Sequence, residues 1–212
     1  MSKIIILGAG GHAKVLCDIL IKRKEKYQED IEILGFLDDD YEKLKNKVIL
    51  GIPVIGNLNK IEDYRKKDYK YVVGIGNNNA RKEIVNLYKD LVYIPIVHPD
   101  VIVGCEVFIG SGSQILGGCV INPNVRIGNH VIINSSTVIE HDCIIEDYVH
   151  VSPNSTICGG VSIGEMSWIG AGSVVIQGIG INKNVIIGAG SVVIKDIEDG
   201  TTVVGNPGKK IK

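Results

Sequence analysis

Few features of this sequence point to a membrane or to nucleic acid. No apolar run approaches the length of about 18 residues that a membrane-spanning helix needs. The first apolar run, Lys3–Leu7, is too short for the core of a signal peptide, so we expect a cytoplasmic protein. The formal net charge is −1, and nothing in it favours nucleic acid or an anionic membrane surface as a partner.

Paired cysteines and metal-binding motifs are also lacking. The five cysteines have no paired spacing, which excludes a complete disulfide framework, and no CxxC or HxxxH motif indicates zinc. We therefore expect no metal. Cys119 and Cys143 fall where small residues recur, so we expect both to be buried, and a buried Cys143 would be a poor nucleophile.

A repeat of six residues dominates the second half of the chain. Every sixth residue from Val103 to Val193 is Ile or Val, sixteen positions without an insertion. The residue two places earlier is mostly small or β-branched. This period fits neither an α-helix nor an alternating strand, and it is typical of a parallel β-helix in which each hexad forms one flat side.

The corners of such a coil need residues that accept an unusual backbone. The residue after the aliphatic position is often Gly, Asn or Glu. Because Gly and Asn accept a positive φ at little cost, we expect them to occupy the corners.

The first 99 residues predict a separate α/β unit, followed by a repeat domain over 100–212 with a short C-terminal tail. We expect four parallel strands, at Lys3–Leu7, Ile33–Leu37, Tyr71–Ile75 and Val92–Val97. This is too short for a six-stranded dinucleotide fold. The unit therefore favours a ligand the size of a mononucleotide over NAD.

Two motifs follow the first two predicted strands. Gly8–Lys14, with the sequence GAGGHAK, joins a strand to a helix, as phosphate-binding loops do, although a tight turn without a ligand would look similar. Asp38 and Asp39 end the second strand, where an acidic residue commonly receives a ribose hydroxyl. A solvated acidic loop is the alternative.

His141 is the candidate catalytic residue within the repeats. It follows the inward Ile139 by two positions and should lie on the outside of the coil. An imidazole titrates near neutral pH and can act as a general base, with Glu140 or Asp142 orienting it. A plain surface histidine is the alternative. His150 lies nine residues, or one and a half hexads, further on, so the two imidazoles are on different sides of the coil and could meet only across a packed neighbouring chain.

Taken in order, the motifs GAGGHAK, FLDD, VVGIGNN, the hexads, SSTVIEHD, HVSPNSTICGG and VVGNPGKK resemble the bacterial sugar O-/N-acyltransferase family. That family includes sialic acid O-acetyltransferases and UDP-4-amino-sugar N-acetyltransferases. The resemblance implies a Rossmann-like parallel α/β domain followed by a left-handed parallel β-helix with three hexads per coil. It also implies a homotrimer that uses acetyl-CoA. The tail departs from the family, with PGKK in place of Pro-Ala-Lys.

The resemblance also assigns roles to residues. His141 matches the general base and Asp142 the acid beside it. Positions that match the nucleotide-sugar site are Gly10, Gly11, His12, Asp38, Asp39, Gly76 and, for the sugar, Asn134. Positions that match the acetyl-CoA site are His150, Gly159, Ala171 and Ala189.

These assignments predict an acetyl-CoA-dependent acetyltransferase that acts on a nucleotide-linked sugar. N-acetylation of a UDP-4-amino-4,6-dideoxy sugar in glycan biosynthesis is the favoured reaction. O-acetylation of sialic acid or another sugar hydroxyl is an alternative within the same class. A non-catalytic β-helix that serves binding or assembly is an alternative of another class.

Overall fold

A computed structural model of the protein describes residues 2–65 and 69–212. The chain divides into two compact units, 1–99 and 100–212. The first is a parallel α/β unit and the second is a parallel β-helix of hexapeptide repeats, as the sequence predicts.

The first unit is built on a five-stranded sheet of order β3-β4-β2-β1-β5, in which β3 alone runs antiparallel to its neighbour. Its strands are β1 (Ser2–Leu7), β2 (Ile31–Leu37), β3 (Val48–Ile49), β4 (Ile52–Gly56) and β5 (Tyr69–Val73), with a further short strand β6 (Ile96–Val97). Its helices are α1 (Gly11–Tyr27), α2 (Tyr41–Leu44), α3 (Ile61–Tyr64) and α4 (Asn78–Leu87), with a 3₁₀ turn at Leu58–Lys60.

One strand prediction was wrong. The fourth long parallel strand is β4, next to β2, and not the segment Val92–Val97. That segment forms a single bridge from Tyr93 to Tyr71 and then the two-residue β6. Pro95 lacks the N–H that a continuous strand would need there, whereas Pro53 is accommodated in β4 next to the edge strand β3.

The second unit has three faces made of two- and three-residue strands. The first face contains β7 (Ile102–Val103), β10 (Val120–Ile121), β13 (Val138–Ile139), β16 (Thr156–Ile157), β19 (Val174–Val175) and β22 (Val192–Val193). The second face contains β8 (Phe108–Ile109), β11 (Arg126–Ile127), β14 (Ile144–Ile145), β17 (Ser162–Ile163) and β20 (Gly180–Ile181). The third face contains β9 (Gln114–Ile115), β12 (Ile132–Ile133), β15 (His150–Val151), β18 (Trp168–Ile169), β21 (Ile186–Ile187), β23 (Thr202–Val204) and β24 (Lys209–Lys210).

Strands on one face pair with a register of 18 residues, as Val120 does with Val138. Three hexads therefore make one coil, as the family resemblance implies. From Ser113 to Val193, every aliphatic position and every position two before it is buried. The small residues also satisfy corner carbonyls, since Ser155 Oγ donates to Gly170 O at 3.0 Å and Ser173 Oγ to Gly188 O at 3.0 Å.

The expectation about the corners was wrong in its position. Positive φ occurs three residues after the aliphatic one, at glycines, asparagines and also at Glu106, His130, Ser136, Asp142, Tyr148 and Met166. Glycine recurs directly after the aliphatic residue for a steric reason, and not because it accepts a positive φ. A Cβ at Gly164 would lie 2.6 Å from the carbonyl carbon of Asn182 in the next coil, so that position must lack a side chain.

Candidate active site

His141 lies in the turn between β13 and β14, at the corner where the first face meets the second. Its side chain is 63% exposed, and its Nδ1 is 2.7 Å from Asp142 Oδ2. A carboxylate can only accept, so Nδ1 carries the proton and Nε2 is left as the unprotonated nitrogen. The imidazole is therefore exposed and held in the tautomer that a general base requires.

Asp142 is held in turn by the preceding coil. Asn124 Nδ2 donates to Asp142 Oδ1 at 3.2 Å, and the Asp142 N–H donates to Pro123 O at 3.2 Å. The hydrogen bond from His141, followed by that from Asn124, lowers the pKa of Asp142 below its ordinary value. The other flanking acid, Glu140, accepts from Asn122 Nδ2 at 2.8 Å, so Asp142 is the residue that orients the imidazole.

Gly159 lies 18 residues beyond His141, in the next coil. A Cβ on Gly159 would be 2.8 Å from both Cε1 and Nε2 of His141, and the N–H of Gly160 donates to His141 O at 2.9 Å. The imidazole therefore occupies the space that a side chain at position 159 would fill. Sequence resemblance assigned Gly159 to the cofactor; the structure brings it to the candidate base.

A second cluster lies on the third face and its corner with the first. It lines a cavity of about 570 Å³ formed by Asn134, His150, Ser152, Pro153, Trp168, Gly170, Ala171, Ile186, Ile187 and Ala189. Four of the residues named from sequence meet here: Asn134, His150, Ala171 and Ala189. His141 and Asp142 lie at a different corner of the same prism.

Two residues of this cavity were missed by sequence reasoning. The ring of Trp168 stacks on that of His150, with centroids 5.4 Å apart and planes at 6°, and its Nε1–H donates to Ser152 Oγ at 2.8 Å. Because Trp168 follows His150 by one coil of 18 residues, the period alone would have placed them on adjacent rungs.

In the first unit, three loops meet at the carboxyl ends of β1, β2 and β5. The Gly8 N–H donates to Leu37 O at 2.7 Å and the Gly74 N–H to Leu7 O at 2.7 Å. Gly8 has a φ of +98°, and Gly10 caps α1, so that Gly11 and His12 form its first turn. A Cβ at Gly10, Gly11 or Gly76 would meet nothing within 4 Å, which leaves open space beside these backbones.

Asp38 binds the glycine loop rather than pointing away from it. Its Oδ2 accepts the Ala9 N–H at 2.7 Å, and its Oδ1 accepts the Asp40 N–H at 2.9 Å. Asp39 is exposed. Asp38 therefore fixes the first loop against the second, and Asp39 is the acid that faces solvent.

Arg81 is a further residue that sequence reasoning missed. Its side chain lies on α4 and is fully buried. Its Nη1 donates to Ile75 O at 3.2 Å and to Gly76 O at 3.0 Å, while Nη2 donates to Asn78 Oδ1 at 2.9 Å. The guanidinium thus holds the loop that follows β5, and no local signal in the sequence distinguishes Arg81 from a surface arginine.

Burial makes Cys119 and Cys143 poor nucleophiles. Burial raises the pKa of the Cys143 thiol, and likewise that of Cys119, to about 11, so the prediction that both lie in the interior is confirmed and a thiolate at Cys143 is disfavoured.

Within residues 2–65 and 69–212, no three His, Cys, Asp or Glu side chains are grouped to hold a metal. No helix in those two ranges is long and apolar enough to cross a membrane.

The sequence matches two family models. The PglD N-terminal domain matches residues 3–88. The bacterial transferase hexapeptide model, which describes six repeats, matches residues 100–135 and 124–159. One model therefore matches most of the first unit, and the other matches residues 100–159 of the second.

Two solved structures are similar over almost the whole chain. A His-to-Asn variant of perosamine N-acetyltransferase from Caulobacter crescentus, in complex with CoA and GDP-perosamine, is 31% identical with a TM-score of 0.89, over 100% of this chain and 98% of that one. The acetyltransferase domain of PglB from Neisseria gonorrhoeae FA1090, in complex with acetyl coenzyme A, is 32% identical with a TM-score of 0.89, over 99% of this chain and 98% of that one.

A curated relative is also similar. UDP-N-acetylbacillosamine N-acetyltransferase from Bacillus subtilis (strain 168) is 36% identical over 123 residues, which cover 55% of this chain and 52% of the relative. The match therefore spans about half the length of that relative.

Proposed function

Since this chain belongs to the PglD-type family of hexapeptide-repeat sugar N-acetyltransferases, we propose that it transfers an acetyl group from acetyl-CoA to the amine of a nucleotide-linked amino sugar. The observation that carries the proposal is the exposed His141 imidazole, which Asp142 holds with Nε2 unprotonated and which lies against Gly159. A fixed, accessible base can take the proton that an amine loses as it attacks a thioester.

Each residue of the pair has a distinct part. His141 Nε2 takes the proton that the acceptor nitrogen gives up as its bond to the acetyl carbon forms and the carbon–sulfur bond breaks. CoA leaves as the thiolate and becomes the thiol when it takes up a proton. Asp142 stabilises the imidazolium that results, because its carboxylate already accepts the Nδ1–H. Acetyl-CoA, when bound, supplies the activated acetyl carbon.

The loops of the first unit are suited to the nucleotide of the acceptor. The backbone at Gly10, Gly11 and His12 begins a helix of 17 residues, whose first amides and dipole favour a phosphate, and there is open space beside the two glycines. We assign the base or ribose to the side of Asp38 and Asp39, with Asp39 as the free acid, and the opposite wall to Gly76.

The third-face cavity is suited to the donor. No charged residue is among those that line it in the described part of the chain, and Ala171 and Ala189 leave room along the coil. Such a surface fits the uncharged arm of CoA better than its phosphates. Asn134 lies at the rim, next to His150, where it could orient the sugar as well as the ring.

We propose that the protein acts as a homotrimer. Within one chain, the His141 pair and the third-face cavity are at different corners of the prism, so a neighbouring copy is needed to bring a donor to the base. Because acetyl-CoA is an intracellular metabolite, we expect the reaction to take place in the cytoplasm.

The names of similar proteins support an amine acceptor over a hydroxyl. Those relatives are N-acetyltransferases of UDP- and GDP-linked amino sugars. We retain a UDP-4-amino-4,6-dideoxy sugar as the favoured acceptor. O-acetylation of sialic acid is the second candidate, favoured only by the fact that the same base could activate a hydroxyl.

A thiol-release assay with acetyl-CoA tests the proposal. Its panel contains UDP-4-amino sugars, a GDP-4-amino sugar, CMP-sialic acid and free sialic acid. We expect release with a nucleotide-linked amine and little with the other acceptors. Release with sialic acid alone would replace N- by O-acetylation, and no release with any acceptor would favour a non-catalytic β-helix.

A further inference from the structure

Trp168 is fixed on the third face as a half-exposed aromatic plate. One face of its indole is covered by the parallel ring of His150, at a centroid distance of 5.4 Å. Its Nε1–H donates to Ser152 Oγ at 2.8 Å, which sets the position of the ring edge. The residue is still 38% exposed and lines the cavity. A ring that is held at one face and one edge offers its remaining surface to a ligand without further ordering.

The same cluster fixes His150, which is only 8% exposed. Asn134 Oδ1 accepts the Ser135 N–H at 2.9 Å, which orients the amide so that Nδ2 faces His150 Nε2 at 3.2 Å. An amide nitrogen can only donate, so Nε2 is the acceptor. The orientation of the imidazole is thus set by Asn134 at its edge and by Trp168 at its face.

The cavity beside Trp168 is elongated along the coils. It extends from Asn134 to Ala189, across four successive coils, which at the usual strand spacing is about 14 Å. Its walls are apolar or weakly polar, and none of the described residues that line it is charged. An extended, uncharged chain bearing amides matches this shape and chemistry.

We propose that Trp168 is a binding residue for the uncharged arm of the acyl donor and a positioning residue for His150. The inference rests on the proposed function, because the identity of the donor as an acyl-CoA comes from there. Trp168 contributes its exposed ring surface to the arm and, through the stack, keeps the His150 ring from rotating into the cavity.

The first test uses the fact that Trp168 is the only tryptophan of the chain. Its emission, excited at wavelengths where tyrosine does not absorb, is followed while the protein is titrated with CoA and, separately, with adenosine 3′,5′-bisphosphate, which lacks the arm. We expect a saturable change with CoA, at the concentrations at which calorimetry detects binding, and none with the bisphosphate. Calorimetric binding of CoA with unchanged emission, or an equal change with the bisphosphate, would overturn the proposal.

The second test measures what the ring of Trp168 contributes to donor binding. Trp168→Leu should raise KM for acetyl-CoA about tenfold through loss of the aromatic contact, with kcat and the acceptor KM within about twofold. Trp168→Phe keeps a ring over His150 and should restore most of the affinity. The matched control is Phe108→Leu, which removes an aromatic ring that is 59% exposed on the second face. Equal donor KM values for Trp168→Leu and Phe108→Leu would contradict the assignment.

The outcomes also distinguish this inference from the proposed function. If no acceptor of the panel releases thiol, the proposed function fails, and the CoA titration still decides the role of Trp168. If thiol is released but CoA leaves the emission unchanged, the function stands and the inference about Trp168 fails.

Discussion

At the scale of single residues, the candidate base owes its orientation to the residue that follows it in the chain. The His141–Asp142 hydrogen bond joins neighbouring side chains, and the positive φ of 61° at Asp142 lets the two side chains face each other. A type of residue that tolerates this backbone better than most therefore lies where the chemistry needs it.

The pH dependence of the reaction tests the role of Asp142. The pKa of Asp142 is lowered in the folded protein, so its carboxylate is charged above the ordinary Asp pKa. The negative charge is lost only as the pH falls through the lower pKa of the folded state. Between about pH 5 and 9 it stays ionised and keeps accepting the Nδ1–H of His141, so the contribution of Asp142 to kcat/KM should not change over this range. Asp142→Asn removes the negative charge beside the imidazolium, so we expect a lower kcat/KM across the whole of this range.

The control for that variant is Glu140→Gln. It removes the same charge from the other flanking acid, which bonds Asn122 and not the imidazole. An equal loss of kcat/KM in both variants would show that Asp142 acts only as a general negative charge.

Gly159→Ala tests whether the ring must lie where it does. The new Cβ would be 2.8 Å from His141 Nε2, and Gly159 has no positive φ, so the backbone tolerates alanine while the imidazole has to move. We expect kcat to fall about 10²-fold, with little change in the KM of acetyl-CoA. Gly180→Ala is the control, since its nearest neighbour would be 3.6 Å away. Equal kcat values in the two variants would show that the ring position does not matter.

Residues that belong to a motif were predicted from the sequence, whereas residues whose roles depend on contacts in the folded structure were missed. His141 stands two places after an inward Ile, so its exposure follows from the hexad. Trp168 and Arg81 belong to no motif. The role of Trp168 depends on a neighbour one coil of 18 residues away, and that of Arg81 depends on its burial against the loop after β5. The period could have revealed Trp168, whereas no local signal distinguishes Arg81 from a surface arginine.

At the scale of elements, the β-helix was predictable because its interior repeats. Burial of one aliphatic and one small or β-branched residue per hexad is a packing requirement that holds from Ser113 to Val193, and the aliphatic position recurs sixteen times in the sequence. The left-handed corner positions were missed because tertiary packing there overrides the preference for Gly and Asn. His130 and Tyr148, for example, stack on each other with centroids 5.4 Å apart.

Backbone strain at a corner residue with a positive φ and no stacking partner can be relieved by a residue that tolerates this backbone better. Glu106 is exposed and has a φ of +59°. Asn tolerates this region better, so Glu106→Asn should raise the free energy of unfolding by up to about 1 kcal/mol. Glu198→Asn makes the same chemical change at an ordinary φ and should give no gain. Urea unfolding at one protein concentration measures both, and equal shifts would exclude backbone strain as the cause.

At the scale of the whole molecule, the proposed mechanism requires two copies of the chain for each active centre. Co-expression of His141→Ala with Ala171→Trp, which fills the third-face cavity, tests this requirement. Each variant alone should be inactive. If the two chains are present in equal amounts and assemble at random, roughly a quarter of all sites pair an intact His141 with an intact cavity, and that share of activity should return. A mixture as inactive as its parts would place base and donor in one chain.

The central claim is that His141 is the base of an acetyl transfer from acetyl-CoA. Its most direct test is thiol release by His141→Ala with the preferred amino-sugar acceptor, alongside calorimetric binding of CoA to the same preparation. The account predicts that kcat falls by about 10²- to 10⁴-fold while CoA binds as it does to the unaltered protein. Near-normal turnover by this variant would contradict it.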